Sequence, residues 1–165
     1  MKTTILIPTD FTVNSLNVLK SILANSETNQ TFNIILLHGL SLSDSIRDLL
    51  FYSKSQQIES LTSPEFEEEY EVIRNKYNSQ ISSLRIDLFT GYNLSAFNNY
   101  LEGNKVEKIF ISERKPIFLN KNSFDLSRFI EKCSVEVLKI DSVSNSSLPE
   151  KGNIAEVFMN QVSIG

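Results

Sequence analysis

Glycine is scarce in this chain, and it is missing where an α/β protein most often needs it. Only five occur in 165 residues, Gly39, Gly91, Gly103, Gly152 and Gly165, and the stretch 110–126, FISERKPIFLNKNSFDL, holds none. A loop that cradles phosphate on bare backbone N–H groups needs residues without a side chain, so such a cradle is not expected there. The single Cys133 excludes an internal disulfide, and the single histidine, His38, gives little support to a Cys–His pair, a catalytic triad or a histidine-bearing metal site. Neither a Gly-x-Ser-x-Gly elbow nor a Gly-x-Gly-x-x-Gly dinucleotide turn is present. No window approaches the roughly 18 unbroken apolar residues of a membrane span. Lysine and arginine form no long run and the net charge is −4, so no nucleic-acid footprint is expected.

What is present is globular. Hydrophobic residues make up 41% and charged residues 22%, and 165 residues suffice for one ordinary domain with a buried core. The opening MKTTILIPTD reaches Pro and Asp after a short apolar run, so it reads as a buried strand and not as a secretion signal. A soluble, cytoplasmic protein is the expectation.

Five apolar runs are too short for helices and rich in Ile, Val, Leu or Phe: 3–8, 32–38, 83–89, 106–112 and 135–140. They read as strands, and the nearly unbroken FNIILLH suits a parallel sheet covered on both faces. Between them, helical spacing joins Leu16, Leu19, Ile22 and Leu23, then Leu94, Phe97 and Leu101 with Asn93 as N-cap and Gly103 as stop, and finally Leu126, Phe129, Ile130 and Cys133. Cys133 there is a small hydrophobe. The long second connection predicts two helices. One lies around 44–53, capped by Ser43 and carrying Ile46, Leu49 and Leu50. The other starts at Ser63-Pro64 and carries Phe66, Tyr70, Ile73 and Tyr77 on one face. Its EFEEEYE start is a solvated helix end that favours the positive dipole, since consecutive carboxylates point around a helix and do not converge on a metal.

Strand and helix in alternation imply right-handed crossovers and a doubly wound, open, parallel five-stranded sheet with helices on both faces. Ligands of such sheets bind beyond the carboxyl ends of the strands, which points to loops 8–12, 38–42, 89–93 and 111–123. The domain spans 1–141. A polar linker and weakly apolar tail follow over 142–165, with Ile154, Val157, Phe158, Val162 and Ile164, and its place is left open between an edge cover, a contact with a second chain and a loose end.

The stretch ILIPTDFTVNSLNVLKSILA (5–24) resembles the opening of universal stress protein domains: an apolar strand, Pro-Thr-Asp-Phe followed by Ser or Thr, then a helix of small and apolar residues. More loosely, IILLHG is similar to that family's second strand, DLFTGYNLSAFNNYLEGNKVEKIFIS to its third strand, helix and fourth strand, and RFIEKCSVEVLKI to its last helix and strand. The resemblance covers most of 3–140 and implies a Rossmann-like fold and a homodimer. Members that bind ATP carry Gly-x-x-Gly after the fourth strand and Gly-Ser or Gly-Thr at the last helix. The matching positions here are Ser112, Lys115, Ser123 and Phe124.

The resemblance places any nucleotide against Pro8, Thr9, Asp10, Ser112 and Lys115, with Asp10 on base or ribose. The same Asp10 also suits helix capping, as do the hydroxyls of Thr12 and Ser15. Arg114, Lys115 and Lys121 read either as solvated loop charges or as a weak anion site. Pro116, Ile117, Phe118 and Leu119 form either an exposed patch for a partner or a closure over the sheet. His38 reads as a partly buried structural residue, Gly91 as a tight turn, and Tyr92 as part of a roof over the crevice.

The leading expectation is therefore a non-enzymatic universal-stress-like domain without tight ATP binding and with no cofactor, working in the stress response through dimerisation or a protein partner. The alternative is an ATP-binding stress protein whose phosphate grip comes from Arg114 and Lys115. A phospho-acceptor receiver domain is caricatured by Asp10, Asp87, Ser112 and Lys139, but a single Asp replaces the usual acidic pair and magnesium would lack ligands. Enzymatic catalysis is the weakest reading.

Overall fold

The computed structural model describes residues 2–27, 29–42, 53–118 and 120–140. Five parallel strands form the sheet: β1 (Lys2–Pro8), β2 (Thr31–Leu40), β3 (Ile81–Phe89), β4 (Lys108–Ser112) and, after the two-residue β5 (Ser123–Phe124), β6 (Glu136–Ile140). Their spatial order is β3-β2-β1-β4-β6, and β5 pairs antiparallel with the end of β2 through Gly39↔Phe124 and Leu40↔Ser123. The predicted parallel sheet is thus present with an added antiparallel pair. Strand order reverses between β1 and β4, so a crevice opens at their carboxyl ends.

The helices are α1 (Leu16–Asn25), α2 (Lys54–Leu61), α3 (Pro64–Lys76), α4 (Leu94–Gly103) and the single turn α5 (Ser127–Ile130). Alternation along the strands sorts the core into two layers. Ile5, Ile7, Ile34 and Leu36 pack with α1 and α3 on one face, while Leu6, Ile35, Leu37 and Ile109 pack with α4 and α5 on the other. Ile5, Leu6, Ile34, Leu36 and Leu37 are wholly inaccessible, which is why β1 and β2 read as unbroken apolar runs.

The local signals for helix starts hold. The Ser63 hydroxyl accepts the Phe66 N–H at 3.1 Å with Pro64 in the first turn, and Asn93 Oδ1 accepts the Ala96 N–H at 2.8 Å. Helix α4 stops at Gly103 as the sequence indicates, while the left-handed conformation just beyond it falls to Lys105 at φ 57°. Other local readings are corrected. Gly91 has no positive φ; it is needed because a Cβ there would meet the Phe89 ring at 2.6 Å and Ala96 Cβ at 2.9 Å. The last predicted helix stops at Ile130, short of Cys133. Its final turns tighten, with the Cys133 N–H donating to the Ile130 carbonyl, and Asn98 on α4 captures the Ser134 N–H at 3.1 Å and steers the chain into β6. Helix α2, capped by Ser53, had no sequence-based prediction, while the predicted helix at 44–53 lies almost wholly outside the described residues. Among the described residues no helix is long and apolar enough to cross a membrane.

Candidate functional site

The crevice is built on the turn after β1. Thr9 receives strand-like support, its N–H donating to the Leu37 carbonyl at 2.8 Å, while its hydroxyl accepts the Phe11 N–H at 3.1 Å and lies 2.8 Å from the Ser15 hydroxyl. Phe11 itself has φ 63°, a left-handed conformation that costs a bulky residue about 1–2 kcal/mol. The strain is offset by burial of its ring, 4.8 Å from the His38 ring and 5.4 Å from Phe66. Thr12 then caps the short 3₁₀ turn Val13–Ser15 that leads into α1, accepting the Ser15 N–H on its hydroxyl at 3.3 Å.

Asp10 is the centre of the arrangement and is 6% exposed. Its Oδ1 accepts the Thr12 N–H at 3.1 Å and the Thr12 hydroxyl at 2.5 Å. Its Oδ2 accepts the Ile117 N–H at 2.8 Å and the Arg114 guanidinium at 3.3 Å. Burial pushes this carboxyl up, but the Thr12 hydroxyl, the backbone N–H groups and the Arg114 charge outweigh it, so its pKa falls below the ordinary carboxylate value. Arg114 also donates to the Thr12 hydroxyl at 3.0 Å. The carboxylate is thus engaged on one oxygen by Thr12 and on the other by the loop that crosses the crevice from β4.

His38 fastens the same loop from beneath and is 2% exposed. Burial holds its pKa below the ordinary 6.5, against the opposing pull of the Thr9 carbonyl and the Asp10 charge. In the neutral ring Nδ1–H donates to the Thr9 carbonyl at 2.8 Å, so Nε2 accepts the Ser123 hydroxyl at 2.6 Å. Phe118 places its ring 6.0 Å from the His38 ring, edge-on. Across the crevice Phe124 lies against Gly39, where a Cβ would meet the Phe124 carbonyl oxygen and ring at 2.8 Å. Pro8, Thr9, Asp10, Ser112, Arg114, Phe118 and Phe124 all line the space that remains, about 90 Å³. A site for a drug-sized molecule encloses roughly 300–1,000 Å³.

Four of the five sequence-predicted site residues, Pro8, Thr9, Asp10 and Ser112, therefore converge on one crevice. Lys115 does not join them: it is exposed and borders a second, wider hollow along β4 and β6. Lys121 is exposed and lines neither space. The apolar segment divides, with Ile117 54% exposed and Phe118 turned inward. Tyr92 is 70% exposed and roofs nothing.

The receiver-like set is not assembled. Asp87 lies on β3, two strands from β1, or about 10 Å at ordinary strand spacing, and Lys139 lies on β6 beyond β4. Asp87 is also enclosed, with Lys54 at 2.8 Å, Arg85 at 3.0 Å, the Tyr100 hydroxyl at 2.6 Å and its neighbour's Leu88 N–H at 2.9 Å. Among the described residues no three of His, Cys, Asp and Glu gather as metal ligands.

Several contacts escaped the sequence. The two-residue β5, the His38–Ser123 bond and the Arg114–Asp10 pair each join residues far apart in the chain. One signal was available: Asn120, whose side chain accepts the Asn122 N–H at 2.8 Å and whose carbonyl accepts the Ser123 N–H at 3.0 Å, marks a turn that returns the chain to β2.

Solved structures align with this chain over nearly their whole length. The hypothetical protein PH0823 aligns over 87% of this chain and 98% of its own at 18% identity and TM-score 0.52, and the hypothetical protein MJ0577 gives the same figures. A universal stress protein family protein from Arabidopsis thaliana, At3g01520, solved with AMP bound, aligns over 91% of this chain and 98% of its own at 11% identity and TM-score 0.51. The chain has the universal stress protein fold. No protein-family model and no curated protein matches the sequence. In this chain the turn Pro8-Thr9-Asp10-Phe11 stands at the switch point of the sheet, and the loop after β4 lies on it as a strap.

Proposed function

We propose that this is a universal-stress-type domain that does not hold ATP tightly and is not an enzyme, and that it acts in the stress response, in the cytoplasm, through dimerisation or a protein partner. The observation that carries the reading is the engagement of Asp10 by Arg114 and the Ile117 N–H, which leaves the carboxylate no free acceptor face toward the crevice. Filling of the crevice by Phe118 and Phe124 and the absence of glycine from 110–126 support it from the phosphate side. The stress-response role itself rests on the fold resemblance. Calorimetric titration of the full chain with Mg–ATP and with AMP tests the first part: no stoichiometric heat at micromolar concentration is expected, and a 1:1 micromolar isotherm overturns it. Sedimentation across a concentration series tests the dimer.

A second reading, adenine-nucleotide binding, is favoured by the AMP in the Arabidopsis thaliana neighbour. It requires the strap to leave Asp10 so that Arg114 and Lys115 can turn to phosphate. In that case Arg114→Ala weakens the isotherm; in the leading reading it releases the strap and there is no isotherm to weaken.

A further inference from the structure

The two-residue β5 carries a serine to the histidine. Backbone bonds hold Ser123 from both sides: its own N–H donates to the Asn120 carbonyl at 3.0 Å, and the carbonyl of its neighbour Asn122 accepts the Ser41 N–H at 2.8 Å. Its partner on β2 is Leu40. His38 stands two residues back along β2 and therefore on the same face as Leu40, so the Ser123 side chain meets the imidazole diagonally across the pair. Both residues lie at the carboxyl end of β2, the end of the sheet where ligands of such folds bind.

The bond between them has a direction. The Thr9 carbonyl can only accept, so it takes the Nδ1 proton at 2.8 Å, and the neutral ring offers its Nε2 lone pair to the Ser123 hydroxyl at 2.6 Å. A hydroxyl that donates to one imidazole nitrogen while a third group holds the other is the arrangement that activates a serine as a nucleophile; here the third group is a backbone carbonyl. The base is shielded, at 2% exposure, with the Phe11 ring 4.8 Å away and the Phe118 ring 6.0 Å away. Burial keeps the ring neutral and able to take a proton, and the Asp10 charge favours the imidazolium that would form. Ser123 is half-buried and so less enclosed than its base.

We propose that Ser123 is a covalent acceptor for activated acyl groups, with His38 as its general base. Oγ attacks the carbonyl carbon of an activated ester, and its proton passes to His38 Nε2 as the Oγ–C bond forms. The ester C–O bond then breaks, its electron pair leaving with the alcohol oxygen, which takes the proton back from His38 or departs as the anion. The product is an ester of Ser123, formed without redox change or a further reactant. One acceptor event is not turnover, so the proposal goes beyond the non-enzymatic reading and stands with either reading of the crevice.

The test is acetylation of the full chain by p-nitrophenyl acetate, followed by nitrophenolate release and peptide mass mapping. A stoichiometric burst is expected, with the acetyl group on Ser123. Ser123→Ala should abolish it, and His38→Gln should slow it by about a hundredfold or more, the ordinary contribution of a general base. The pH profile of the unaltered chain is a second readout that does not depend on how a variant folds. Asp10, itself bound to Arg114, is the charged group acting on the His38 ring. The rate should be level above 6.5 and fall below it as the imidazole becomes protonated and can no longer accept. The proposal is overturned if acetyl groups appear on lysines and none on Ser123, if Ser123 reacts equally fast in His38→Gln, or if the rate rises in proportion to hydroxide throughout. The last two results would leave the His38–Ser123 bond as a fastening of β5 to β2 alone.

Discussion

Asp10 and Asp87 are both buried carboxylates, 6% and 4% exposed, and both carry pKa values below the ordinary one, yet they are held in different ways. Burial pushes Asp87 up, and the Lys54 ammonium, the Tyr100 hydroxyl and the Leu88 N–H bring it down. Its partners Arg85 and Leu88 belong to its own strand, Tyr100 to the following helix, and Lys54 stands 52% exposed at the rim. Asp10 instead draws Arg114 and Ile117 from more than 100 residues away, across the mouth of the crevice. One carboxylate staples a sheet edge. The other holds a strap across the crevice at the switch point of the sheet. A low pKa and deep burial are shared by both, so neither property tells the sheet-edge acid from the acid at the crevice; the direction from which the partners come does.

This contrast can be broken by removing each acid in turn. Asp10→Ala should have the largest effect, about 3 kcal/mol in chemical denaturation, because it deletes the acceptor of the Thr12 N–H and hydroxyl and two charge-assisted bonds to the strap together. Limited trypsinolysis should then cut after Arg114, which the native strap resists. Asp87→Ala should destabilise by less, about 2 kcal/mol, since Lys54 and Arg85 are half exposed and can rehydrate, and it should leave the Arg114 site uncut. Equal cleavage in the two variants would erase the distinction.

Gly39→Ala sharpens the comparison from the other side of the crevice. The new Cβ meets the backbone of Phe124 at 2.8 Å, so β5 must shift; a loss of about 1–2 kcal/mol is expected, together with loss of the His38–Ser123 bond as read by the imidazole NMR shifts.

The smallest effects lie in the pH profile. Both acids have folded pKa values below the unfolded ones, so the unfolded chain binds more protons as pH falls through about 4, and their stabilisation is present above that range and lost below it. The slope of stability against pH in acid should shrink in either Asp variant. His38 contributes at higher pH. Its folded pKa is depressed below 6.5, so the unfolded chain takes up a proton first, and stability should begin to decline as pH drops below that value. His38→Gln should flatten the profile between pH 7 and 5.5.

How much of this was legible in the sequence differs by element. The caps at Ser63 and Asn93, the Pro64 helix start and the inaccessible strands β1 and β2 were readable because each depends on residues a few positions apart. Asp10 could be placed at the crevice by the Pro8-Thr9-Asp10-Phe11 turn alone. Its occupants could not: Arg114 reads equally well as a solvated loop charge, and only the approach of β4 to β1 brings it within 3.3 Å of the carboxylate. The short α5 was misread as a longer helix because Cys133 continued the apolar spacing, and the capture of Ser134 by Asn98 on another helix overrode it.

By itself the sequence determined an alternation of buried strands and amphipathic helices, and with it a parallel sheet and a crevice at its switch point; it also determined that no glycine would be available to wrap phosphate there. The tertiary structure alone decided that the crevice is filled from within, that Asp10 faces a strap, and that His38 is locked between Thr9 and Ser123. The reason is range. Capping and periodicity act over three or four residues and are written locally, whereas the partner of a buried charge depends on which distant loops the closed sheet brings to the same place.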